Sequence, residues 1–585
     1  MNKLDKQMRY EFVDEPCRNF NILGSTTIMD PKDGREKIVL SNFAAGATGN
    51  VIFIDSLTGE GEAIRLPGDN GAWATLNLNN DKLLIGTCAQ SGYLHCLDLK
   101  SRIWAEPLRD EHETYIWNLT LGSDGMVYGG TYPGCSLLRY DPERHVLENM
   151  GKVSDSSQNL YSRQVTGELP GYILILGGFD TPFLTAWNME TREFKPFGNP
   201  DTVGSFKEVN DEFICVSGKN EGELYYYDSR TFEPIQNRSL DNQVAASKGL
   251  KLKDGRIGGV RGQDYFILNK EGDKPLYQRI PTPAPATHIH TIISDAHGNI
   301  WGACGFGQTI FCYRPEEKSY WNSSVICNNG GEVYGMSFVG NQLYMSAYSG
   351  GDHVVYNIDN PWNQLDNVNP VTLQAVAPDL IRPTGRTLIG PDGGVWTGWS
   401  AKYGTYGGGL SRIDVYSQEV ASWYDPIPCQ QVAGLAADNR YLYFTTNGGA
   451  SGLPYNKEVI CHFAVWSTDG RLVYKQAFAE GIKLDAVLAV GGRVLVKTGD
   501  AIQIFDPGSM SFAQTVSVGE ACSWMIKVDD EHAAAFCGRH VYSINSRTGD
   551  CKLLSELPGE AGTAAITPKG DIYFAYGTAL YKLTQ

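Results

Sequence analysis

The sequence lacks any run of about 18 consecutive apolar residues, the length that a membrane-spanning helix needs, so we expect no membrane partner. It also lacks the spacing of apolar residues that marks amphipathic helices, and the expected fold class is therefore all-β. The N-terminal stretch MNKLDKQMRYEF contains no apolar core like that of a signal peptide. On this ground we expect a cytoplasmic location.

Basic residues are fewer than acidic residues: the sequence has 49 Lys and Arg and 66 Asp and Glu, which gives a formal net charge of −17. Nucleic-acid-binding proteins normally carry a basic face or stripe, so no nucleic-acid partner is expected. The 13 cysteines are scattered and form no CxxC pair, which indicates buried, reduced thiols. None of these features sets the oligomeric state.

Glycine and aromatic residues, in contrast, are abundant, with 66 Gly, 31 Tyr, 22 Phe and 12 Trp. The segment 287–315 shows how they are used, because its alternating apolar residues and Gly/Asn/Asp turns predict three short strands. The same pattern recurs about thirteen times along the chain, at intervals of roughly 35–50 residues. The sequence is therefore a repeat of one small antiparallel sheet.

Repeats of this length predict the four-stranded blades of a β-propeller, in which each twisted sheet covers the faces of its neighbours. Propellers run to about eight blades, so about thirteen units imply two propellers. We expect residues 1–325 to form the first, with about seven blades, and residues 326–585 to form the second, with about six.

The two ends of the chain suggest how a ring could be closed. The last repeat ends one strand short, and the segment 8–14 has no partner of its own. Either this segment supplies the missing outer strand of the last blade, or it is a frayed arm before two propellers in series. The segments 281–285 and 357–378 are the candidate crossing points between the propellers, or long loops between blades.

Candidate site residues lie at the starts of the predicted inner strands, because these open onto one mouth of a propeller. They are rich in aromatic rings, imidazoles and guanidinium groups, which suit an acidic carbohydrate as the partner. We predict catalytic roles for His288, His290, Tyr115, Tyr161 and Tyr334. We predict substrate binding by Trp73, His112, Trp117, Arg163, Gln164, Lys248 and Arg386.

The imidazoles of His288 and His290 could meet one ligand together, because alternate residues of a strand point to the same side. Two neutral imidazoles could serve as a general base or bind a divalent metal, which would need a third ligand from another blade. No cofactor is identified by the sequence beyond this option.

An aspartate recurs at the end of the third strand in repeat after repeat. Recurrence at one structural position predicts capping of the following turn and not catalysis. The aspartates concerned are Asp55, Asp98, Asp141, Asp228, Asp414 and Asp506.

Three of the repeats resemble blades of the bacterial streptogramin-lyase-like propellers: ISDAHGNIWGACGFGQTIFCYRP, DGMVYGGTYPGCSLLRYDPE and PDGGVWTGWSAKYGTYGGGLSRIDVYS. They are also similar to propellers of carbohydrate-active enzymes, including lyases and glycosidases that act on rhamnose-glucuronate linkages. The resemblance covers nearly the whole chain and implies architecture. No catalytic residue is carried over from it.

The leading hypothesis is a lyase that cleaves uronic-acid-containing oligosaccharides by β-elimination. This reaction needs a cation to neutralise the uronate carboxylate. Arg163 or Arg386 could supply it, or a metal beside His288 and His290.

The same reaction needs a base that removes the C5 proton and an acid that protonates the leaving oxygen. The candidate bases are His288, His290 and Tyr115, and the candidate acids are Tyr161 and Tyr334.

Two other functions stay open at this level. A glycoside hydrolase on the same scaffold would need two carboxylates about 5–10 Å apart, for which Glu113, Glu208 and Glu332 are the nearest candidates. A non-catalytic propeller that binds protein or glycan is the other, because fold alone does not decide function.

Overall fold

A computed structural model describes residues 7–88, 91–178, 181–198, 204–218, 223–235, 249–329 and 331–585. The described residues form β-strands joined by turns and contain no helix, which confirms the expected all-β class. No helix long and apolar enough to span a membrane is therefore found among them.

The strands up to residue 283 are β1 (Arg9–Asp14), β2 (Ile22–Met29), β3 (Glu36–Asn42), β4 (Asn50–Asp55), β5 (Gly61–Arg65), β6 (Ala72–Leu78), β7 (Lys82–Thr87), β8 (Tyr93–Asp98), β9 (Ile103–Trp104), β10 (Leu108–Arg109), β11 (Tyr115–Leu121), β12 (Val127–Tyr132), β13 (Ser136–Asp141), β14 (Val146–Lys152), β15 (Gln164–Thr166), β16 (Tyr172–Gly177), β17 (Phe183–Asn188), β18 (Phe194–Pro196), β19 (Phe206–Val209), β20 (Phe213–Ser217), β21 (Leu224–Asp228), β22 (Leu250–Lys251), β23 (Ile257–Arg261), β24 (Asp264–Leu268) and β25 (Gln278–Arg279).

The strands after residue 283 are β26 (Ile289–Ser294), β27 (Ile300–Cys304), β28 (Ile310–Arg314), β29 (Ser319–Asn322), β30 (Val333–Val339), β31 (Gln342–Ala347), β32 (Asp352–Asn357), β33 (Val371–Thr372), β34 (Leu380–Arg382), β35 (Thr387–Ile389), β36 (Val395–Ala401), β37 (Gly408–Ile413), β38 (Val420–Tyr424), β39 (Gln431–Ala437), β40 (Leu442–Asn447), β41 (His462–Ser467), β42 (Arg471–Ala477), β43 (Val487–Val490), β44 (Arg493–Thr498), β45 (Ala501–Asp506), β46 (Ser511–Ser517), β47 (Cys522–Lys527), β48 (His532–Cys537), β49 (His540–Asn545), β50 (Cys551–Glu556), β51 (Thr563–Ile566), β52 (Ile572–Tyr576) and β53 (Ala579–Thr584).

Within the described residues these strands form thirteen antiparallel sheets, most of them with four strands in meander order, as in β2-β3-β4-β5. The sheet β19-β20-β21 has three strands there, and two sheets carry an additional short strand. These sheets are the blades of β-propellers, and the predicted fold class is confirmed.

The chain divides into two compact units. The six-sheet unit comprises Phe20–Pro283, and the seven-sheet unit comprises the described residues up to Asn19 together with Ala284–Gln585. The boundary falls within the predicted linker 281–285, whereas the sequence prediction placed it after residue 325. The difference arises because β26 packs beside β30 on one side and β51 on the other, which holds the sheet of β26–β29 in the seven-sheet unit.

Each unit brings its first and last sheets together. In the seven-sheet unit the inner strands contact one another in turn, and the last of them contacts the first: β26, β30, β35, β39, β43, β47 and β51. In the six-sheet unit β2 contacts both β6 and β22, the inner strands of the next and of the last sheet. A closed ring leaves no sheet face without a neighbour.

The N-terminal strand completes the last blade of the seven-sheet unit. β1 pairs antiparallel with β53, from Arg9 opposite Thr584 to Asp14 opposite Leu580, and the sheet order is β1-β53-β52-β51. The amide of Met8 also donates to the carbonyl of Leu554 in the neighbouring sheet at 2.7 Å. This is the first of the two arrangements considered for segment 8–14.

The core of each unit lies between adjacent sheets. Around the ring closure, for example, Phe311 from the sheet of β26–β29 packs with Tyr573 and Leu580 from the last sheet, all of them buried. Burial of one large apolar side chain contributes about 1.5–3 kcal/mol. Eleven of the thirteen cysteines are buried as well, and only Cys429 and Cys551 are exposed, so the expectation of buried thiols is largely confirmed.

The repeated aspartates cap turns, as predicted. The Oδ1 atom of Asp55 accepts hydrogen bonds from the amides of Leu57 and Thr58, each at 2.9 Å. The other five make the same kind of contact with an amide two or three residues later: Asp98, Asp141, Asp228, Asp414 and Asp506.

Removal of residues 1–14 should expose the edge of β53, because β1 is the partner of that strand on one side. Loss of these hydrogen bonds, worth about 1 kcal/mol each, should accelerate hydrogen–deuterium exchange in Ala579–Thr584 by about tenfold or more. β41, the third strand of another blade, serves as the internal control and should keep its exchange rate. Unchanged exchange in β53 would contradict the closing role of β1.

Candidate active site

A β-bulge sits at the start of many inner strands and decides which side chains reach the mouth of each ring. In β26, Ile289 lies opposite Cys304 and Thr291 lies opposite Ala303, so that His290 has no partner in the ladder. Tyr334 in β30 likewise has no partner residue, because Val333 lies opposite Ala347 and Gly335 lies opposite Ser346. A bulge bends the strand and redirects the extra side chain. The same shift occurs at Leu23, Trp73, Trp117, Lys207, Ala433 and Ser523.

In the seven-sheet unit these strand starts enclose a cavity of about 460 Å³, here called the funnel. All seven sheets contribute to its wall, so it lies at a mouth of the ring. The lining residues are His288, His290, Tyr334, Pro383, Thr384, Gly385, Arg386, Gln431, Ala433, Asn447, Asp485, Ala486, Ser523, Trp524 and Gly562.

A second cavity of about 410 Å³ shares Tyr334, Arg386 and Trp524 with the funnel. It is lined mainly by apolar side chains of the inner strands, such as Ile292 and Val487. Lys527, Ser294 and Ser337 also line the second cavity, so polar side chains reach both cavities.

Arg386 stands at the junction of the two cavities. Its guanidinium carbon lies 3.9 Å from the ring centroid of Trp524, and Nη1 donates to the carbonyl of Met525 at 3.0 Å. Burial lowers the pKa of Arg386 to about 10. The group stays protonated at neutral pH and provides one positive charge at the base of the funnel.

A second guanidinium, that of Arg382, lies beside Tyr334. Its Nη1 donates to the hydroxyl of Tyr334 at 3.1 Å, and its carbon lies 4.0 Å from the ring centroid of Tyr348. The ring of Tyr334 also meets the imidazole of His290 edge to face, with 4.5 Å between centroids. A cation, a phenol and an imidazole therefore meet at one side of the funnel.

The pKa values of this group follow from its burial. Burial lowers the pKa of His288, and burial with the charges of His288 and Arg382 lowers that of His290 to about 4. Burial, followed by the nearby Glu332, raises the pKa of Tyr334 well above its usual value. At neutral pH both imidazoles are therefore uncharged and the phenol keeps its proton.

Glu332 lies directly before β30 and is only 6% exposed. The preceding residue, Gly331, has a φ of 114°, and a Cβ there would lie 2.2 Å from the carbonyl oxygen of Tyr348, so this approach requires glycine. The carboxyl Oε2 of Glu332 is buried and has no hydrogen-bond partner among the described residues. Burial raises the pKa of Glu332 to about 7, although the charge of Arg382 opposes the shift.

Tyr348 and Tyr403 extend this cluster toward the loop 402–407. Their hydroxyl groups are in hydrogen-bond contact, and the carbonyl of Tyr348 accepts a hydrogen bond from Gln308 at 2.7 Å. The loop itself is held by the amide of Gly404, which donates to the carbonyl of Ser451 at 2.9 Å. The wall of the site is thus tied to three neighbouring blades.

The predicted site residues fall into two sets that lie in different units. His288, His290, Tyr334 and Arg386 line the funnel of the seven-sheet unit. The other predicted residues that the structure describes belong to the six-sheet unit, where four of them form an aromatic cluster: Trp73, Tyr115, Trp117 and Tyr161.

Of the other predictions in the six-sheet unit, His112 and Arg163 are exposed. The side-chain oxygen of Gln164 accepts a hydrogen bond from the amide of Phe206 at 3.1 Å, so it links two sheets. Lys248 lies outside the described residues.

Sequence reasoning missed several residues of the funnel region, above all Arg382, Tyr348, Asp485 and Trp524. Arg382 was missed because two short strands, β34 and β35, both pair with β36 in its blade. The repeat pattern indicated the start of β35, which Arg386 precedes, and not β34, which ends at Arg382. Pro383 was the available signal, because proline has no amide hydrogen to donate to a ladder and therefore marks a break after Arg382.

No group of three or more His, Cys, Asp or Glu side chains in the described residues is arranged to hold a metal ion. The positive charges near the funnel include the guanidinium groups of Arg382 and Arg386 and the ammonium group of Lys497, whose Nζ lies 3.2 Å from a carboxylate oxygen of Asp485.

Comparisons with known proteins concern the fold alone. No protein-family model matches the chain, and the search of curated proteins finds no relative. The extracellular domain of a protein described as a one-component system from B. thetaiotaomicron is 13% identical, with coverage of 99% of this chain and 82% of that chain and a TM-score of 0.28. A virginiamycin B lyase from Staphylococcus aureus is 10% identical over 52% of this chain and 96% of that chain, with a TM-score of 0.40.

Replacement of Glu332 by Gln tests the buried carboxyl. Because the folded-state pKa of about 7 exceeds the ordinary value of 4.5, the folded protein binds more protons than the unfolded chain between these values. The stability of the wild type should therefore fall relative to Glu332→Gln as pH rises from 4 to 8, by about 3 kcal/mol. Urea titrations at several pH values measure this difference.

The matched control is Glu480→Gln, because Glu480 is exposed in the same unit. Its stability should follow that of the wild type across the range. If the free energy of unfolding changed with pH in the same way for Glu332→Gln and the wild type, ionisation of Glu332 would not destabilise the folded protein.

Proposed function

We propose that the funnel is the active site of a lyase that cleaves uronic-acid-containing oligosaccharides by β-elimination. The observation that carries the proposal is the contact of three groups, in which Arg382 donates to the hydroxyl of Tyr334 and the ring of Tyr334 meets His290. The volume of about 460 Å³ lies within the range of roughly 300–1,000 Å³ that small-molecule sites occupy.

The elimination needs charge stabilisation first. The C5 proton of a uronate becomes acidic only when the adjacent carboxylate is neutralised, because negative charge develops on that group in the transition state. Arg382 and Arg386 are the guanidinium groups of the site, and a guanidinium binds a carboxylate through two parallel hydrogen bonds. Lys497 is paired with Asp485 of the funnel wall. The proposed substrate therefore places its carboxylate toward the two guanidinium groups.

The proton transfers follow from the protonation states. A neutral imidazole, that of His288 or His290, removes the C5 proton, and the electron pair of the C5–H bond forms the C4–C5 double bond. The C4–O bond breaks, and its oxygen takes the proton of the Tyr334 hydroxyl. His288 is the better base of the two, because the very low pKa of His290 makes it a weak proton acceptor.

Arg382 has a second part in this scheme. The hydrogen bond to the hydroxyl of Tyr334 stabilises the phenolate that remains after proton donation. Trp524 offers an aromatic face at the opposite wall for stacking against a sugar ring. Asn447 and Gln431, joined by a 2.7 Å hydrogen bond, supply amide groups for sugar hydroxyls.

A glycoside hydrolase is the second candidate function, favoured by one observation. The pKa of Glu332, raised by burial to about 7, is that of a general acid working near neutral pH. Asp485 lines the funnel and would be the second carboxylate of such a pair. This reaction would yield saturated products.

Incubation with uronate-containing oligosaccharides, such as trigalacturonate and a rhamnose-glucuronate oligomer, separates the two reactions. A lyase produces unsaturated uronate, which absorbs in the ultraviolet, whereas a hydrolase produces new reducing ends without that absorbance. The proposal expects Tyr334→Phe to lower kcat by roughly 10²–10⁴-fold, because it removes the general acid. Arg382→Met should reduce kcat/KM at least as strongly, because it removes one of the two guanidinium groups that stabilise the developing charge and the hydrogen bond to Tyr334.

Matched controls come from the surface of the same unit. Tyr416 is 95% exposed and the side chain of Arg471 is 78% exposed, so Tyr416→Phe and Arg471→Met should leave kcat unchanged. Elimination that proceeds at the wild-type rate in Tyr334→Phe and Arg382→Met would refute the assignment of the funnel.

A further inference from the structure

The six-sheet unit carries its own cluster of aromatic rings, built from three successive sheets. Trp73 and Trp117 lie 4.7 Å apart between ring centroids, and Tyr115 stacks on Trp117 at 5.1 Å with an interplanar angle of 26°. Tyr161 lies 5.4 Å from Trp117 and 4.7 Å from Tyr132. We call these five residues the aromatic platform.

The platform occupies the same structural position as the funnel does in the other ring. Trp73 in β6 and Trp117 in β11 are bulge residues, with no partner residue on the paired strand. His290 in β26 and Tyr334 in β30 have the same position in their strands. The bulge turns these side chains away from the packing between sheets and toward the mouth of the ring. All five platform rings remain partly exposed.

Positive charge accompanies the platform. The guanidinium carbon of Arg163 lies 5.8 Å from the ring centroid of Trp117, and the side chain of Arg163 is exposed. Lys207, also exposed, takes the equivalent bulge position in β19. The carboxylate of Glu113, in contrast, is buried and accepts a hydrogen bond from the amide of Gly134 at 2.9 Å.

We propose that the aromatic platform is a second binding site, which takes the rings of acidic oligosaccharides without cleaving them. Flat indole and phenol faces provide apolar area for the C–H face of a pyranose. Arg163 binds the uronate carboxylate, because a guanidinium matches its two oxygens. The ligand class, acidic oligosaccharides, is taken from the proposed function, but binding at the platform does not require the elimination reaction.

Binding is measured on the full chain carrying Tyr334→Phe, Arg382→Met and Arg386→Met, so that cleavage is suppressed and both guanidinium groups of the funnel are removed. Trigalacturonate and the neutral cellotriose are titrated calorimetrically into this protein. Trigalacturonate should bind more tightly than cellotriose. Adding Arg163→Met should weaken trigalacturonate binding by about tenfold, the effect of one charge-assisted hydrogen bond. Adding Trp117→Leu should abolish measurable binding of both sugars.

Arg65→Met is the control, because Arg65 is exposed on β5 of the same unit and its removal changes the net charge equally. It should leave the Kd unchanged. Equal Kd values for the Arg163→Met and Arg65→Met proteins, or no binding in the parent protein, would overturn the proposal. Arg163 is exposed, so this comparison decides the matter even where Trp117→Leu proves unstable. A failure of the lyase assay would leave these binding results standing.

Discussion

The pairing of Arg9–Asp14 with Ala579–Thr584 joins the two ends of the chain into one sheet and closes the ring of the seven-sheet unit. A propeller blade buries its faces only against neighbouring blades, so a ring left open would present apolar residues of its first and last sheets to water. In this chain those residues include Phe311 and Leu580, which pack together across the closure. Closure also brings β51 beside β26, the strand that carries His290 into the funnel.

Within a closed ring, function is decided by which side chains leave the packing between sheets. A regular inner strand alternates its side chains between two neighbouring blades, and both positions are used for the core. The bulge adds one residue that has no place in that alternation. At His290 and Tyr334 the extra residue is a titratable group, and at Trp73 and Trp117 it is a large aromatic ring. The same backbone irregularity therefore presents titratable groups in one unit and aromatic rings in the other.

The electrostatics of the funnel depend on the same burial. Two guanidinium groups are kept near the axis, where the ring of Trp524 and the hydroxyl of Tyr334 replace part of their hydration. Burial keeps the imidazoles neutral, holds the proton on Tyr334 and raises the pKa of Glu332. Groups that would be ordinary surface residues in water thereby take protonation states suited to proton transfer.

The all-β class, the number of blades and the capping role of aspartates such as Asp55 follow from the sequence alone, because strand alternation and turn chemistry are local properties that every repeat displays. The sequence also marks His290, Tyr334 and Trp117 as candidates, since each stands at the start of a repeat. Tertiary structure alone decided that the boundary lies at Pro283 and not after residue 325, and that Arg382 and Trp524 join the funnel group. These outcomes depend on contacts between strands far apart in the chain, and no local pattern records which blade becomes the neighbour of which.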